Sequence, residues 1–124
     1  MTRTMKTLIL GATPNPTRYA FLAAERLSEK ELEFIPIGIK NGEVFGKDIL
    51  NLRDKPEIQD VHTVTLYIGV ANQGEWIDYI LQLKPKRIIF NPGTENTNFA
   101  SKAKELDIEV FYGCTLVMLG NGLY

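Results

Sequence analysis

The sequence has few of the features that mark secreted and membrane proteins. Its one cysteine, Cys114, rules out an intrachain disulfide, which fits a reducing compartment. No apolar run approaches the roughly 20 residues that a membrane-spanning helix needs. The first residues, Met1–Lys6, are polar and lack the apolar region of a signal peptide. We therefore expect a cytoplasmic protein with no membrane contact.

An excess of basic residues is also missing. Fourteen Lys and Arg side chains stand against 15 Asp and Glu, which gives a formal net charge of −1. A general nucleic-acid binder normally carries a basic patch or stripe, so we expect no nucleic-acid partner. A local basic patch for a phosphate ligand stays open. The length suits one domain, residues 1–124, which can bury a core without disulfides or metal ions.

Five short apolar or β-branched runs predict strands that alternate with helices. Gly or Asn follows each run closely, as is typical of buried strands in a parallel sheet. The strands are predicted at Thr7–Leu10, Glu33–Ile39, Thr63–Ile68, Arg87–Phe90 and Ile108–Tyr112. The spacing of apolar residues predicts helices at 17–30, 73–84 and 95–107, with one further turn at 115–119.

The sequence also predicts the place of a proline, an edge strand and the buried face of one helix. Proline has no N–H group for a ladder hydrogen bond, so we expect Pro36 near the carboxyl end of its strand or at a bend. The polar, glycine-punctuated stretch that follows predicts only a short edge strand at Val44–Ile49. In the third helix, Phe99, Ala103 and Leu106 are predicted to face inward.

Strands that alternate with helices predict an α/β fold of Rossmann type, a doubly wound and mostly parallel sheet with helices on both faces. In that order Thr7–Leu10 lies beside Thr63–Ile68. Ligands bind such sheets in the crevice between the carboxyl ends of these two strands. Glycine follows most of the strands closely, and it lets a backbone approach a ligand. The loops after the strands therefore form the predicted site.

The first of these loops, Gly11–Arg18, predicts a phosphate site. It lacks the Gly-x-Gly-x-x-Gly dinucleotide motif, because Thr13 and Asn15 stand where later glycines would be. It still leads into the amino terminus of a helix, where free N–H groups and the helix dipole favour an anion. Thr13, Asn15 and Arg18 add side-chain donors. The alternative is a plain helix cap by Thr17 with an exposed Arg18.

The end of the second strand bears on the identity of a nucleotide ligand. NAD sites usually have Asp or Glu there, which binds the free hydroxyls of the ribose. This chain has the run from Ile37 to Lys40 instead, and a lysine suits a phosphorylated ribose. Coenzyme A carries a 3′-phosphate and NADP a 2′-phosphate, so both ligands stay open here. A solvated loop lysine is the third possibility.

Catalytic side chains are scarce. The one histidine, His62, starts a strand at the edge opposite the crevice, and we expect it at the surface. Ser28 and Ser101 lie in predicted helices without a histidine partner. No Cys/His cluster offers ligands for zinc. We therefore expect neither catalytic residues nor a metal site.

Five stretches spread in order over the whole chain point to a known family. They are GATPNPTRYA (11–20), PIGIK (36–40), TLYIGVANQG (65–74), PKRIIFNPGTEN (85–96) and IEVFYGCTLVML (108–119). Together they resemble the small stand-alone CoA-binding domain proteins of bacteria. The fold of those proteins is similar to the nucleotide-binding domain of the succinyl-CoA synthetase α subunit.

The resemblance implies that CoA or an acyl-CoA binds in the crevice. The phosphates are assigned to the first loop, at Gly11, Ala12, Thr13, Pro14, Asn15 and Arg18. The adenosine end is assigned to Pro36, Gly38 and Lys40. The crevice floor is assigned to Tyr67, Ile68, Asn91, Pro92 and Gly93. The family's second strand often closes with Asn-Pro and a basic residue, and this chain departs from that pattern, which leaves the adenosine contacts open.

Cys114 follows the last strand at the same edge. It is predicted either as a packing residue or as a thiol near the pantetheine thiol of CoA, where oxidation would form a mixed disulfide. The leading hypothesis is a CoA-binding module that is not an enzyme, because the catalytic histidine of the synthetases belongs to a separate domain that this sequence does not contain. The alternatives are an NADP-linked or redox-regulatory nucleotide-binding protein and an interaction module that has lost its ligand. The acyl group, the pathway and the oligomeric state are not indicated.

Overall fold

The computed structural model describes residues 5–124. Of the predicted polar start, Met1–Lys6, positions 1–4 lie outside the described residues. The strands are β1 Thr7–Leu10, β2 Phe34–Gly38, β3 Glu43–Val44, β4 Lys47–Asp48, β5 Leu50–Asn51, β6 Thr63–Leu66, β7 Arg87–Phe90 and β8 Glu109–Tyr112. The helices are α1 Tyr19–Glu29, α2 Ile77–Gln82, α3 Thr97–Glu105 and α4 Thr115–Asn121. None of the helices in residues 5–124 is long and apolar enough to span a membrane.

Six strands form one parallel sheet in the order β5-β2-β1-β6-β7-β8. β1 pairs with β2 on one side and with β6 on the other, and Leu10 lies level with Ile37 and Leu66. The chain runs outward from β1 to β2 and β5 and then returns to β6. The switch point of the sheet therefore lies between β1 and β6. The predicted doubly wound α/β fold, with the first strand beside the strand at 63–66, is confirmed.

Helices cover both faces of the sheet. α2 and α3 pack on one face, over Leu8, Val64 and Ile88. α1 and α4 pack on the other face, over Ile9 and Phe34. Every residue of β1, β6 and β7 is buried. Since strands that are covered on both faces have no side exposed to solvent, they appear in the sequence as short continuous runs of apolar residues.

Pro36 lies in the middle of β2, level with Ile9, so the expectation of a place near the carboxyl end or at a bend is wrong. The carbonyl groups of Glu33 and Ile37 accept hydrogen bonds from the β1 side. Neighbouring residues of a strand point their backbone groups to opposite sides, so the backbone nitrogen of Pro36 points away from β1, toward the outer edge of the sheet. There β5 pairs only with Ile37 and Gly38, so the N–H group that proline lacks costs no ladder hydrogen bond.

A hairpin stands where the single edge strand was predicted, at Val44–Ile49. Its strands β3 and β4 are antiparallel, and Phe45 and Gly46 between them have φ angles of 48° and 83°. Two residues with positive φ form the tight turn that reverses a chain in a two-residue loop. The edge strand of the main sheet comes later, at Leu50–Asn51, where it pairs with β2 in parallel.

The helices occupy the predicted regions but differ in length. α2 begins at Ile77 and not at Gln73, because 3₁₀ turns at 70–72 and 74–76 precede it. α4 is longer than the single turn that was predicted for its region. Each helix still packs its apolar residues against a face of the sheet.

The inward position predicted for Leu106 is wrong. α3 ends at Glu105, which makes Leu106 its C-cap, and Leu106 is 58% exposed. The helical spacing therefore no longer determines where this side chain points. Phe99 and Ala103, which lie within α3, are buried as predicted.

The first loop packs directly on the end of β2. The N–H groups of Gly11 and Ala12 both donate to the Ile37 carbonyl oxygen, at 2.9 and 3.0 Å. A Cβ atom on Gly38 would lie only 2.4 Å from the carbonyl oxygen of Ala12. Because only glycine fits at this contact, the loops after β1 and β2 are held against each other.

We predict that Gly38→Ala lowers the free energy of unfolding by about 1–3 kcal/mol, because the backbone of Ala12 must shift to admit the methyl group. Gly113→Ala is the matched control, since a Cβ atom there meets nothing within 4 Å. Urea unfolding followed by circular dichroism measures both variants. If both proteins kept the stability of the parent, the contact would not be as tight as described.

Candidate ligand-binding cleft

A cleft of about 980 Å³ opens at the carboxyl ends of the central strands. Its walls come from the loops after β1, β2, β6 and β7 and from a 3₁₀ turn, Leu52–Asp54, that follows β5. The cleft lies at the switch point between β1 and β6, which is where the sequence predicts binding. Its volume lies in the range of pockets that hold small-molecule and cofactor ligands.

Most of the residues predicted for the site line this cleft. They come from the loops after four strands and are Gly11, Ala12, Thr13, Pro14, Asn15, Arg18, Lys40, Tyr67, Ile68, Pro92 and Gly93. The fold thus brings segments that are distant in the chain to one edge of the sheet. Contact between these residues and a ligand stays a prediction.

Four residues predicted for the site lie outside the lining of the cleft. Pro36 and Gly38 belong to β2, where Gly38 supports the first loop. Cys114 is the N-cap of α4 and is half-buried. The fourth, Asn91, lies under the cleft floor in a buried hydrogen-bond network.

Asn91 holds two strand ends and a helix together. Its amide nitrogen donates to Thr65 Oγ1 at 2.8 Å and to the Leu66 carbonyl oxygen at 2.9 Å. Its amide oxygen accepts from the Thr115 N–H group at 2.8 Å. The hydroxyl groups of Thr65 and Thr115 bond to each other at 2.7 Å. These buried groups satisfy one another, and they anchor α4 to β6 and β7.

Tyr67, the first residue after β6, joins this network. Its hydroxyl group bonds to the side chains of Thr65 and Thr115. Burial raises the pKa of Tyr67 to about 12, and the hydrogen bonds offset only part of that effect. The phenol is therefore neutral at physiological pH. Cys114 makes a smaller contribution to the raised pKa of Tyr67.

Local hydrogen bonds shape the first loop. Gly11 has a φ of 98°, and a Cβ atom there would lie 2.9 Å from the carbonyl oxygen of Tyr67. Asn15 Oδ1 accepts from the N–H and hydroxyl groups of Thr17, at 3.0 and 2.8 Å. Arg18 is the N-cap of α1, and no side chain of residues 5–124 caps that helix. The amino terminus of α1 is therefore open toward the cleft.

Gln73 joins the loops that follow β6 and β7. Its amide nitrogen donates to the carbonyl oxygens of Ile68 and Thr94, both at 2.8 Å. Its amide oxygen accepts from the side chain of Asn96 at 2.9 Å. Gln73 is itself buried, so this wall of the cleft is held by interior hydrogen bonds.

The charged residues that line the cleft are mostly basic. Arg18, Lys40 and Arg53 stand against a single lining carboxylate, Glu75. This excess is local, because the whole chain has a formal net charge of −1. A cleft with such a charge distribution attracts an anionic ligand.

The lining includes residues that the sequence did not predict, among them Arg53, Glu75 and Trp76. The place of Glu75 and Trp76 could have been predicted, since both come directly after the glycine-containing loop that follows β6. Arg53 gave no such signal, because β5 has only two residues and the edge strand was predicted at the wrong place.

His62 lies at the amino edge of the sheet, just before β6, as predicted. It is half-buried rather than fully at the surface, and its Nδ1 atom is 2.8 Å from Thr63 Oγ1. The length of β6 separates it from the cleft.

Solved structures share the fold. A crystal structure described as that of an uncharacterized protein is 56% identical with a TM-score of 0.94, and the match covers 99% of this chain and 100% of that one. A protein from Thermus thermophilus and a hypothetical protein from Pyrococcus horikoshii OT3 are each 22% identical, with TM-scores of 0.82 and 0.81. Those two matches cover 98% of this chain and 91% and 84% of theirs, and they show the fold alone. No curated protein sequence matches the chain.

A family model described as a CoA binding domain matches residues 5–120. The matched span includes every loop that lines the cleft. It also confirms the resemblance drawn from the five sequence stretches. The chain therefore belongs to the family of CoA binding domain proteins.

Proposed function

We propose that the protein binds coenzyme A, free or with a short acyl group, in the cleft between β1 and β6 and catalyses no reaction itself. The observation that carries this proposal is the cleft, where loops of a CoA binding domain converge with three cations and one carboxylate. CoA carries a diphosphate and a 3′-phosphate, so it is strongly anionic. The charge of the cleft complements that of the ligand.

The amino terminus of α1 is the proposed site of the diphosphate. The N–H groups of Gly11 and Ala12 already bond to Ile37, and that of Phe21 bonds to Arg18. The proposal therefore uses the N–H groups of Tyr19 and Ala20, the first two residues of α1, which line the cleft. The helix dipole favours an anion there. Asn15 and Arg18 flank this turn, and a guanidinium group matches the geometry of a phosphate.

A binding role, and not catalysis, fits the chemistry of the lining. The residues there supply amide, hydroxyl and cationic groups, which hold phosphates. His62 lies at the opposite edge of the sheet, and Cys114 lies outside the lining. The free thiol of Cys114 is also in keeping with the proposed cytoplasmic location.

CoA and acetyl-CoA should raise the melting temperature, and NAD at the same concentration should not. The reason is that the loop after β2 presents Lys40 to the cleft and no carboxylate for a free ribose diol. A thermal-shift series with CoA, acetyl-CoA, NADP and NAD measures this by mass action. Stabilisation by NAD that equals that by CoA contradicts the proposal. Stabilisation by NADP alone favours the nicotinamide alternative.

Asn15→Asp should weaken CoA binding at least about tenfold without changing the melting temperature of the free protein. The new carboxylate keeps the acceptor that bonds to Thr17, so the turn survives, but it repels a phosphate. Asn98→Asp, the same change on the exposed surface of α3, is the control. Titration calorimetry compares the three proteins. Unchanged affinity in Asn15→Asp would move the phosphates away from the first loop.

The protein should release no thiol from acetyl-CoA. A colorimetric thiol assay, with acetyl-CoA in excess over protein, measures the release against acetyl-CoA in buffer alone, after subtraction of the signal that the free thiol of Cys114 gives without acetyl-CoA. Because a binding module supplies no nucleophile or base to the thioester, we expect the two rates to agree. Release that is faster with protein and saturates with acetyl-CoA would show a thioesterase, and the non-catalytic part of the proposal would be wrong.

A further inference from the structure

We propose that Lys40 and Arg53 together bind the 3′-phosphate of CoA and that Arg53 makes the cleft selective for the phosphorylated cofactor. This inference rests on the proposed function, because it concerns the same cleft. Both cations line that cleft. They come from two neighbouring elements of the sheet, so their joint position depends on the fold and not on sequence proximity.

The pairing of β2 and β5 places the two cations at the same height. The strands are parallel, with Ile37 level with Leu50 and Gly38 level with Asn51. Lys40 and Arg53 each come two residues after the second of these pairs. Both side chains therefore start just beyond the last paired rung, at the same edge of the sheet.

The backbone that carries Arg53 is held firmly, whereas its side chain is exposed. Asn51 Oδ1 accepts from the Arg53 N–H group at 3.0 Å and caps the short 3₁₀ turn. Leu52, between them, is buried in the core with Ile37. Contacts within the protein therefore hold the backbone of the turn, and the exposed guanidinium group can reach a ligand in the cleft.

The segment that carries Lys40 lies close to the first loop on both sides of that residue. β2 ends against the first loop, since Gly38 contacts the Ala12 backbone. Two residues after Lys40, a Cβ atom on Gly42 would lie 3.1 Å from the ring of Pro14. The segment that carries Lys40 therefore lies next to the first loop, where the diphosphate is proposed to bind.

Neither cation is paired with a carboxylate from residues 5–124. Among the residues that the structure describes, the only ion pair within 4.0 Å joins Arg26 and Glu29. Glu75, the one carboxylate in the lining, comes from the turns after β6, on the far side of β1. A phosphate monoester such as the 3′-phosphate carries about −1.5 to −2 charges at neutral pH. Two unpaired cations match that charge. The planar guanidinium group can also donate two parallel hydrogen bonds to a phosphate, which an ammonium group cannot do.

The test measures CoA against 3′-dephospho-CoA by titration calorimetry, on the parent protein and on Arg53→Gln, Lys40→Gln and the double variant. Lys55→Gln is the matched control, because Lys55 is an exposed cation two residues further on that does not line the cleft. Melting curves without ligand check the fold of each variant.

We expect the parent protein to prefer CoA by about 10–150-fold, the range that charge-assisted hydrogen bonds give. Arg53→Gln should reduce this preference about tenfold or more and leave the affinity for dephospho-CoA unchanged. Lys55→Gln should behave as the parent. A preference that Arg53→Gln leaves intact, or an equal loss of affinity for both ligands, overturns the inference. Equal binding of the two ligands by the parent overturns it too but leaves the proposed function standing, whereas binding of neither overturns both.

Discussion

The contact between Gly38 and the backbone of Ala12 is the constraint on which the cleft depends. It presses the first loop onto the end of β2, and the Ile37 carbonyl oxygen fixes it there with two hydrogen bonds. Because both loops then form one wall, the amino terminus of α1 and the side chain of Lys40 reach the same space. Any side chain at position 38 would separate these two parts of the cleft.

The opposite wall depends on buried polar groups. Asn91 joins β6 and β7 to α4, and Gln73 joins the loops that follow the same two strands. Buried amides are costly unless every donor and acceptor is satisfied, and among the described residues no buried side-chain nitrogen or oxygen lacks a partner. The groups that join the strands and loops of this wall are therefore buried, whereas the charged residues of the cleft are exposed. Because Arg53 is exposed, we expect a substitution there to affect the fold less than one at Asn91 or Gln73.

The sequence predicted those parts of the molecule that depend on local pattern. The strands at Thr7–Leu10 and Arg87–Phe90 were predicted to the residue, because continuous apolar runs bounded by turn residues have few alternatives. The place of Pro36 was not predictable, since it depends on where the neighbouring strand β5 begins to pair. Position after a strand likewise predicted which residues gather at one edge but not which of them face the cleft, and so Asn91 was placed on the floor although it lies beneath it. Arg53 was missed because nothing local marks a two-residue edge strand.

The central claim is that CoA binds at the carboxyl edge between β1 and β6. A crystal structure of the protein soaked or grown with CoA tests it most directly. We expect the diphosphate to lie against the first turn of α1 beside Asn15 and Arg18, with the adenosine phosphate beside Lys40. CoA found at the amino edge near His62, or a cleft that stays empty at saturating CoA while titration shows binding, would contradict it.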